Sequence, residues 1–348
     1  MREIILQNKK INSENSTFII AEIGNNHQGS LELAYNLVDQ AVKSGVDAVK
    51  FQKRDNRSLF TDKMYQSDYA SDNSFAPTYG AHRDKLELSK EDFAKLKKYC
   101  DDKKIIFFAT PFDTLSLEFL EEIKCPFYKV ASADHMNVFF LREISKLNKP
   151  IILSTGGGTF ETIELAHRTI NEYHNLLAIL QCTAAYPCKP EEMNLNVITS
   201  FMKKYPNNVI GLSDHQNGIS MALVAFTLGA RIIEKHITLD RTMKGTDHKF
   251  SLEPQGLSKL VRDIRRAELA LGNTEKQIIE SEINPIKKMG KKLVASKNLK
   301  KGSIIKSEDI ALKSPQDGLK ASLFDNLIGK KLIKNLNKDE DFKLDYFD

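Results

Sequence analysis

Long apolar runs are missing from this chain. The longest, such as the one around Phe18 to Ile23, falls far short of the roughly 20 residues needed to cross a bilayer, so no membrane span is expected. The first residues run into polar Gln7-Asn8-Lys9-Lys10 instead of building the apolar core of a secretory signal, which leads us to expect a cytoplasmic protein. Cysteine is scarce as well: Cys100, Cys125, Cys182 and Cys188 form no CxxC pair and no regular spacing. Four thiols in 348 residues cannot be a disulfide framework, and we read them as reduced core residues. A large charge excess is also lacking, with 51 Lys+Arg against 46 Asp+Glu. The excess is unevenly placed. From Ile286 to Asp348 there are 15 Lys against nine acidic residues, which leaves residues 1–285 at 36 against 37. Acidic residues interleave with those lysines, so a solvated surface is favoured over a nucleic-acid interface. What is present is 41% apolar residues over 348 positions, enough for a sizeable core, and this rules out a disordered or fibrous chain.

Eight short runs dense in β-branched and aromatic residues recur through residues 18–237: Phe18 to Gly24, Ala48 to Gln52, Ile105 to Thr110, Phe127 to Ser132, Pro150 to Ser154, Leu177 to Cys182, Val209 to Ser213 and Ile232 to Ile237. Near-continuous apolarity implies burial on both faces, as in parallel strands covered by helices. Helical periodicity fills intervals such as Ser30 to Gly45, Lys90 to Lys103, Thr114 to Ile123 and Gly218 to Gly229. Eight such units are the arithmetic of a (β/α)8 TIM barrel. A doubly wound sheet is the alternative, but Gly24-Asn-Asn-His-Gln-Gly29 does not match the dinucleotide-binding turn. Residues 55–83, rich in Asp, Ser, Asn and Tyr, read as an extended loop over the barrel mouth. A helix from Pro254 to Leu271 ends at Gly272, and Asn273 to Met289 reads as connecting chain. Short strands such as Leu293-Val-Ala, Ile304-Ile and Ile310-Ala-Leu then mark a small β-rich domain. We place the barrel at 1–283, the linker at 284–291 and the second domain at 292–348.

Reactive groups of such a barrel lie at the C-terminal ends of its strands. Those ends carry Glu22, Lys50 and Gln52, Thr110, Lys129 and Ser132, Ser154 and Thr155, Gln181 and Thr183, Ser213 with Asp214 and His215, and Glu234 with His236. A single strand lysine is often an inter-strand ion pair. Two, beside several hydroxyls at one mouth, point to a phosphate or carboxylate site. His215 and His236 end successive strands and can share one metal ion, or be two unrelated structural histidines. Two imidazoles do not close a coordination sphere, so a bound ion would keep open positions, as catalytic metals require. Oxygen-rich substrates favour Mn2+ or Mg2+ there.

The series Phe18-Ile-Ile-Ala-Glu-Ile-Gly-Asn-Asn-His-Gln-Gly29, Val49-Lys-Phe-Gln52, Tyr128-Lys-Val-Ala-Ser132, Ile152-Leu-Ser-Thr-Gly156, Gln181-Cys-Thr-Ala-Ala-Tyr-Pro187, Gly211-Leu-Ser-Asp-His215, Ile233-Glu-Lys-His-Ile-Thr-Leu-Asp240 and Gly245-Thr-Asp-His248 resembles the motifs of the sialic acid synthase family. The resemblance runs from about residue 17 onward, residues 292–348 being similar to the family's antifreeze-like SAF domain. It implies condensation of phosphoenolpyruvate with an N-acetylated hexosamine such as N-acetylmannosamine, giving a nine-carbon keto acid and phosphate. By motif, Lys50, Thr110, Lys129, Ser132, Ser154 and Ser213, with Gln52 as accessory donor, would hold phosphoenolpyruvate. His215 and His236 would bind Mn2+, with Mg2+ or Co2+ as substitutes, and Glu22, Tyr186 and Asp247 would face the sugar. Glu22, Lys50, Lys129 and the two histidines form the implied catalytic set, in a domain-swapped homodimer.

Three positions depart from the family pattern: Ala184 where many members have Asn, Ser314 where many have an Arg that reaches the partner's site, and Gly157 where a Met is common. Tyr79-Gly-Ala-His-Arg83 and Lys244-Gly-Thr-Asp-His248 look like the animal-type members, which use a 6-phosphorylated acceptor. His82, Arg83 and Lys244 are candidates for that phosphate, and Asn73 for the Asn that the family carries in the 55–83 loop. The acceptors left open are N-acetylmannosamine, its 6-phosphate, and the diacetamido-trideoxyhexoses of legionaminate and pseudaminate synthesis. A Schiff-base aldolase using Lys129 or Lys50 is the more distant alternative.

Overall fold

The computed structural model describes residues 2–348. All eight expected strands form, and we number them after a short N-terminal hairpin of β1 (Ile4–Leu6) and β2 (Lys9–Ile11). They are β3 (Phe18–Gly24), β4 (Ala48–Lys53), β5 (Ile106–Pro111), β6 (Tyr128–Val130), β7 (Ile151–Ser154), β8 (Leu177–Cys182), β9 (Val209–Asp214) and β10 (Ile232–His236). Each pairs in parallel with its neighbour, and β10 closes on β3 with Ile232 opposite Phe18 and His236 opposite Glu22. Helices cover the outside. Leu31–Ser44 is representative: Ser30 caps it by accepting from the Leu33 N–H, and Gly45 ends it in the left-handed conformation. The apolar side chains of strands and helices merge into one core cluster, which also takes in Ile4, Leu6 and Ile11 of the hairpin.

The 55–83 segment corrects the expectation of an extended loop. It holds the short helices Asn56–Leu59 and Asp62–Tyr65, and the helix Tyr79–Leu86 follows. Asp55, Thr61 and Thr78 each cap one of them through a side-chain oxygen. Asn73 Oδ1 accepts from the Gly245 N–H at 3.1 Å, which ties this segment to the loop after β10.

The chain divides into two compact units, one reaching to Gly272 and the other covering Asn273–Asp348. Part of the stretch read as connecting chain is the helix Glu280–Met289, with Glu280 and Glu282 in its first turn and Lys287 and Lys288 in its last, charges that complement the helix dipole. Within the second unit β11 (Lys292–Ala295) pairs antiparallel with β12 (Ile310–Lys313). Leu293, Ile305, Leu332 and Phe342 belong to its separate core. Ile304, expected in a strand, makes only an isolated bridge to Lys331. Several of its lysines are ion-paired, Lys292 with Asp317 and Asp341, Lys297 with Asp309 and Lys334 with Glu340. This agrees with a solvated surface.

Candidate active site

Barrel closure gathers the strand ends into a cavity of about 790 Å3. Glu22, Lys50, Gln52, Thr110, Lys129, Ser132, Ser154, Tyr186, Ser213, His215, His236 and Asp247 all line it. Not every polar strand end points there. Thr155 donates to the Leu180 carbonyl, Gln181 to that of Met193 and Thr183 to that of Glu192, and these three line a neighbouring cavity instead. The pleat sends adjacent residues to opposite faces, so Ser213 enters the barrel while Asp214 points out.

On the cavity floor, Lys50 Nζ lies 2.9 Å from Glu22 Oε2 and donates to Thr110 Oγ1 at 3.1 Å. Lys129 Nζ donates to Ser154 Oγ at 2.6 Å and lies 3.4 Å from Glu234 Oε1. Glu234 also stands 3.9 Å from Lys50 and accepts from Ser213 Oγ at 2.9 Å. Gln52 donates to Glu22 at 2.7 Å. Burial alone would raise Glu234, but the two ammonium groups and the Ser213 hydroxyl outweigh it and hold the carboxyl at about 2. Burial raises Glu22 by more than Lys50 offsets, and it lowers Lys129. Two ammonium groups therefore face one firmly ionised carboxylate. Such a floor attracts a further anion, and Glu22 is the group suited to hold or pass a proton.

Above the floor the rings of His215 and His236 lie 5.4 Å apart, with Phe250 edge-on to both and Tyr186 at 4.4 Å from His215. His215 Nδ1 sits 3.0 Å from the Thr183 carbonyl, which can only accept, so Nδ1 donates there and Nε2 is the nitrogen left to meet a ligand. Burial pushes His236 down to about 4, and its buried Nδ1, 3.7 Å from Asp247 Oδ2, has no hydrogen-bond partner. Two imidazoles this close fit a divalent ion. Among the described residues no group of three or more His, Cys, Asp and Glu could hold one, so water and substrate oxygens would complete its sphere.

A fully buried ion pair supports these histidines from behind. Lys235 Nζ lies 2.9 Å from Asp214 Oδ2, both side chains being 0% exposed. Asp214 Oδ1 accepts from the Gln216 N–H at 2.8 Å, and Lys235 Nζ donates to the Gln216 carbonyl. The pair thus grips both backbone groups of the residue following His215.

Several lining residues were not assigned from sequence. Glu234 shares strand parity with His236, and Arg54 with Lys50 and Gln52, so alternation carried a signal for both. Arg83, a candidate from the animal-type motif, does line the cavity, reaching it from the helix Tyr79–Leu86. All four cysteines are buried free thiols, but Cys182 also lines the cavity, 3.9 Å from His215 Nδ1. His82 packs among Tyr69, Phe75 and Tyr79 away from the large cavity, and Lys244 lies over the Phe75 ring. Ser314 accepts from Lys291 at 2.6 Å within the second unit, and Ala184 lines the cavity where an amide was the family pattern.

A closed parallel barrel that converges buried ammonium, hydroxyl and imidazole groups on one cavity belongs to the class of (β/α)8 enzymes that handle small anionic substrates. More narrowly, the chain belongs to the NeuB family, whose pattern matches residues 37–276, and it carries a SAF domain over residues 292–343. It is 37% identical over 332 residues to N-acetylneuraminate-9-phosphate synthase of Homo sapiens, covering 95% of this chain and 92% of that one. It is 38% identical over 332 residues to N,N'-diacetyllegionaminic acid synthase of Campylobacter jejuni, covering 93% and 98%. A solved structure of N-acetylneuraminic acid (sialic acid) synthetase from Leptospira borgpetersenii superposes with a TM-score of 0.72 at 36% identity, over 82% of this chain and 95% of that one.

Proposed function

We propose that the chain condenses phosphoenolpyruvate with an N-acetylated hexosamine and water to give a nonulosonic acid and phosphate. The observation that carries this reading is the floor of Lys50 and Lys129 sharing one ionised Glu234, with the two imidazoles of His215 and His236 in the same cavity. Phosphoenolpyruvate, with a carboxylate and a phosphate on three carbons, suits that floor: the ammonium groups and the hydroxyls of Thr110, Ser132, Ser154 and Ser213 bind and orient it, with Gln52 alongside. Glu22, Tyr186 and Asp247 hold the open-chain sugar above it. His215 and His236 would hold a divalent ion, Mn2+ in our reading, which would supply Lewis acidity toward the sugar's aldehyde. C3 of phosphoenolpyruvate forms the new bond to the aldehyde carbon, and cationic character develops at C2. The Glu234 carboxylate faces that charge, Glu22 passes a proton as water adds at C2, and C–O cleavage expels phosphate and leaves the keto group.

The buried free thiols suit a reducing cytoplasm, and we further propose a homodimer in which a second copy's SAF domain completes the site. The phosphorylated and unphosphorylated product names belong to relatives of nearly equal identity, so similarity does not choose the acceptor. The test is phosphate release from phosphoenolpyruvate with Mn2+, run against N-acetylmannosamine, its 6-phosphate and diacetamido-trideoxyhexoses. Acceptor-dependent release is expected, falling on the order of 1,000-fold in His215→Ala or His236→Ala. Full activity in EDTA together with borohydride trapping on Lys129 would replace this reading by a Schiff-base aldolase.

A further inference from the structure

A separate cavity of about 310 Å3 opens at the face of the barrel opposite the active site. Val209 and Ile210, at the start of β9, line it together with Arg231, the residue before β10, and Met202 extends the apolar wall. At ~3.3 Å per residue Val209 stands roughly 17 Å from the other end of its strand, and the two cavities share no lining residue. Two guanidinium groups supply the charge. The Arg231 backbone is fixed in the sheet: its N–H donates to the Ile210 carbonyl at 2.8 Å, and its carbonyl accepts from the Phe18 N–H at 2.9 Å. Its Nη1 donates to the carbonyls of Ala230 at 2.9 Å and Phe226 at 3.3 Å, which leaves Nε and Nη2 for a ligand. Arg2 Nη2 donates to the Met202 carbonyl, while its buried Nε has no hydrogen-bond partner. Among the described residues neither guanidinium forms a salt bridge. Burial lowers Arg231, and Glu268, the acid that opposes this shift, is itself bonded to the Thr17 N–H and to Arg265. Asn12 also lines the cavity, but its side-chain oxygen is taken by the Glu14 and Asn15 N–H groups. Cationic donors therefore share an apolar cavity with no acidic counterpart. An unpaired buried donor and two like charges in one cavity both cost free energy that a bound anion removes.

We propose that this cavity is a second ligand site, which takes a small organic acid with its carboxylate between Arg2 and Arg231 and a compact apolar body against Met202, Val209 and Ile210. A guanidinium fork gives a carboxylate two parallel hydrogen bonds, and the cavity reaches the lower end of the ordinary range of small-molecule pockets, about 300–1,000 Å3. The apolar wall favours a ligand with a hydrocarbon body over a bare inorganic anion, which gains nothing from it. Reactive groups of such barrels lie at the opposite face, so a ligand here is bound and not turned over. The site is independent of the condensation reading above.

The test is an NMR titration of the full chain with benzoate, its uncharged isostere benzamide, acetate and inorganic phosphate, repeated on Arg2→Gln, Arg231→Gln and Arg231→Lys. Benzoate should bind the wild type at least about 10-fold more tightly than any of the other three, and excess phosphoenolpyruvate should leave its affinity unchanged. Arg2→Gln and Arg231→Gln should each weaken benzoate at least about 10-fold, as expected for a lost charge-assisted hydrogen bond, while binding of benzamide stays the same. Arg231→Lys should recover part of the loss. Melting of each variant without ligand reports on folding, and Arg2→Gln, whose backbone lies outside every strand, decides the matter if Arg231→Gln does not fold. The proposal is overturned if benzoate does not bind, if benzamide or acetate binds as well, or if folded arginine variants keep wild-type affinity. Phosphate binding as tightly as benzoate overturns it too, since the cavity would then serve a bare anion. Displacement of benzoate by phosphoenolpyruvate would place it at the Lys50 and Lys129 floor and also overturn the proposal.

Discussion

Replacing Lys235 by Met tests whether the buried pair behind the histidines works as described. Lys235 and Asp214 are each 0% exposed and 2.9 Å apart. Removing one partner strands the other charge in the core, a loss of about 3–5 kcal/mol, whereas replacing both by apolar residues of similar size is often neutral. At about 2–4 °C per kcal/mol for a unit of this size, Lys235→Met should lower the melting temperature by roughly 6–20 °C. The double variant Lys235→Met with Asp214→Leu should recover most of that loss. Turnover should not return with it, because Gln216 has lost both side-chain anchors of its backbone and His215 is no longer held. Calorimetric melting and the phosphate-release assay on the three variants give both readouts. A single variant that melts within a degree or two of wild type, a double variant as unstable as the single, or a double variant with full turnover would each refute the reasoning.

Two further predictions concern stability. Burial and the nearby Lys53 hold His27 at about 4, below its ordinary 6.5. Its depressed value means that the unfolded chain binds the extra proton, so the contribution is whole above pH 6.5 and drains away as pH falls toward 4. Between pH 7 and 4.5 wild type should lose about 2–3 kcal/mol that His27→Gln does not, measured by urea unfolding at both pH values, and parallel losses would count against this. Among the glycines, Gly29 and Gly157 have nearly the same φ, +74° and +72°, but a Cβ on Gly29 would sit 2.2 Å from the Lys85 carbonyl oxygen while nothing lies within 4 Å of one on Gly157. Gly157→Ala should therefore cost about 1 kcal/mol from backbone strain alone, and Gly29→Ala several times more or folding itself; equal costs would show that contact is not the cause.

The barrel was legible because each of its strands is buried on both faces, which leaves runs such as Phe18–Gly24 and Leu177–Cys182 in plain view. The hairpin of Ile4–Leu6 and Lys9–Ile11 was not, since its turn is Gln7-Asn8, with no glycine to mark it and a positive φ at Gln7 that only the fold imposes. The helices Asn56–Leu59 and Asp62–Tyr65 are a single turn each, too short to show periodicity. Pro285 and the dense charge hid the helix Glu280–Met289. In the site, strand parity already contained Glu234 and Arg54, whereas Arg83, on a helix outside the strand pattern, was singled out only by the motif Tyr79 to Arg83.

The sequence by itself determined the eight strands, their order and the chemistry at their ends, because burial of a strand on both faces and the polarity of its last residues are local properties. Only the tertiary structure decided which of those ends meet. Closure of β10 on β3 sets His236 opposite Glu22, more than 200 residues apart along the chain. The tilt and pleat of the closed sheet then bring Lys50 and Lys129 to one carboxylate and turn Asp214 and Lys235 outward to a pair that steadies His215.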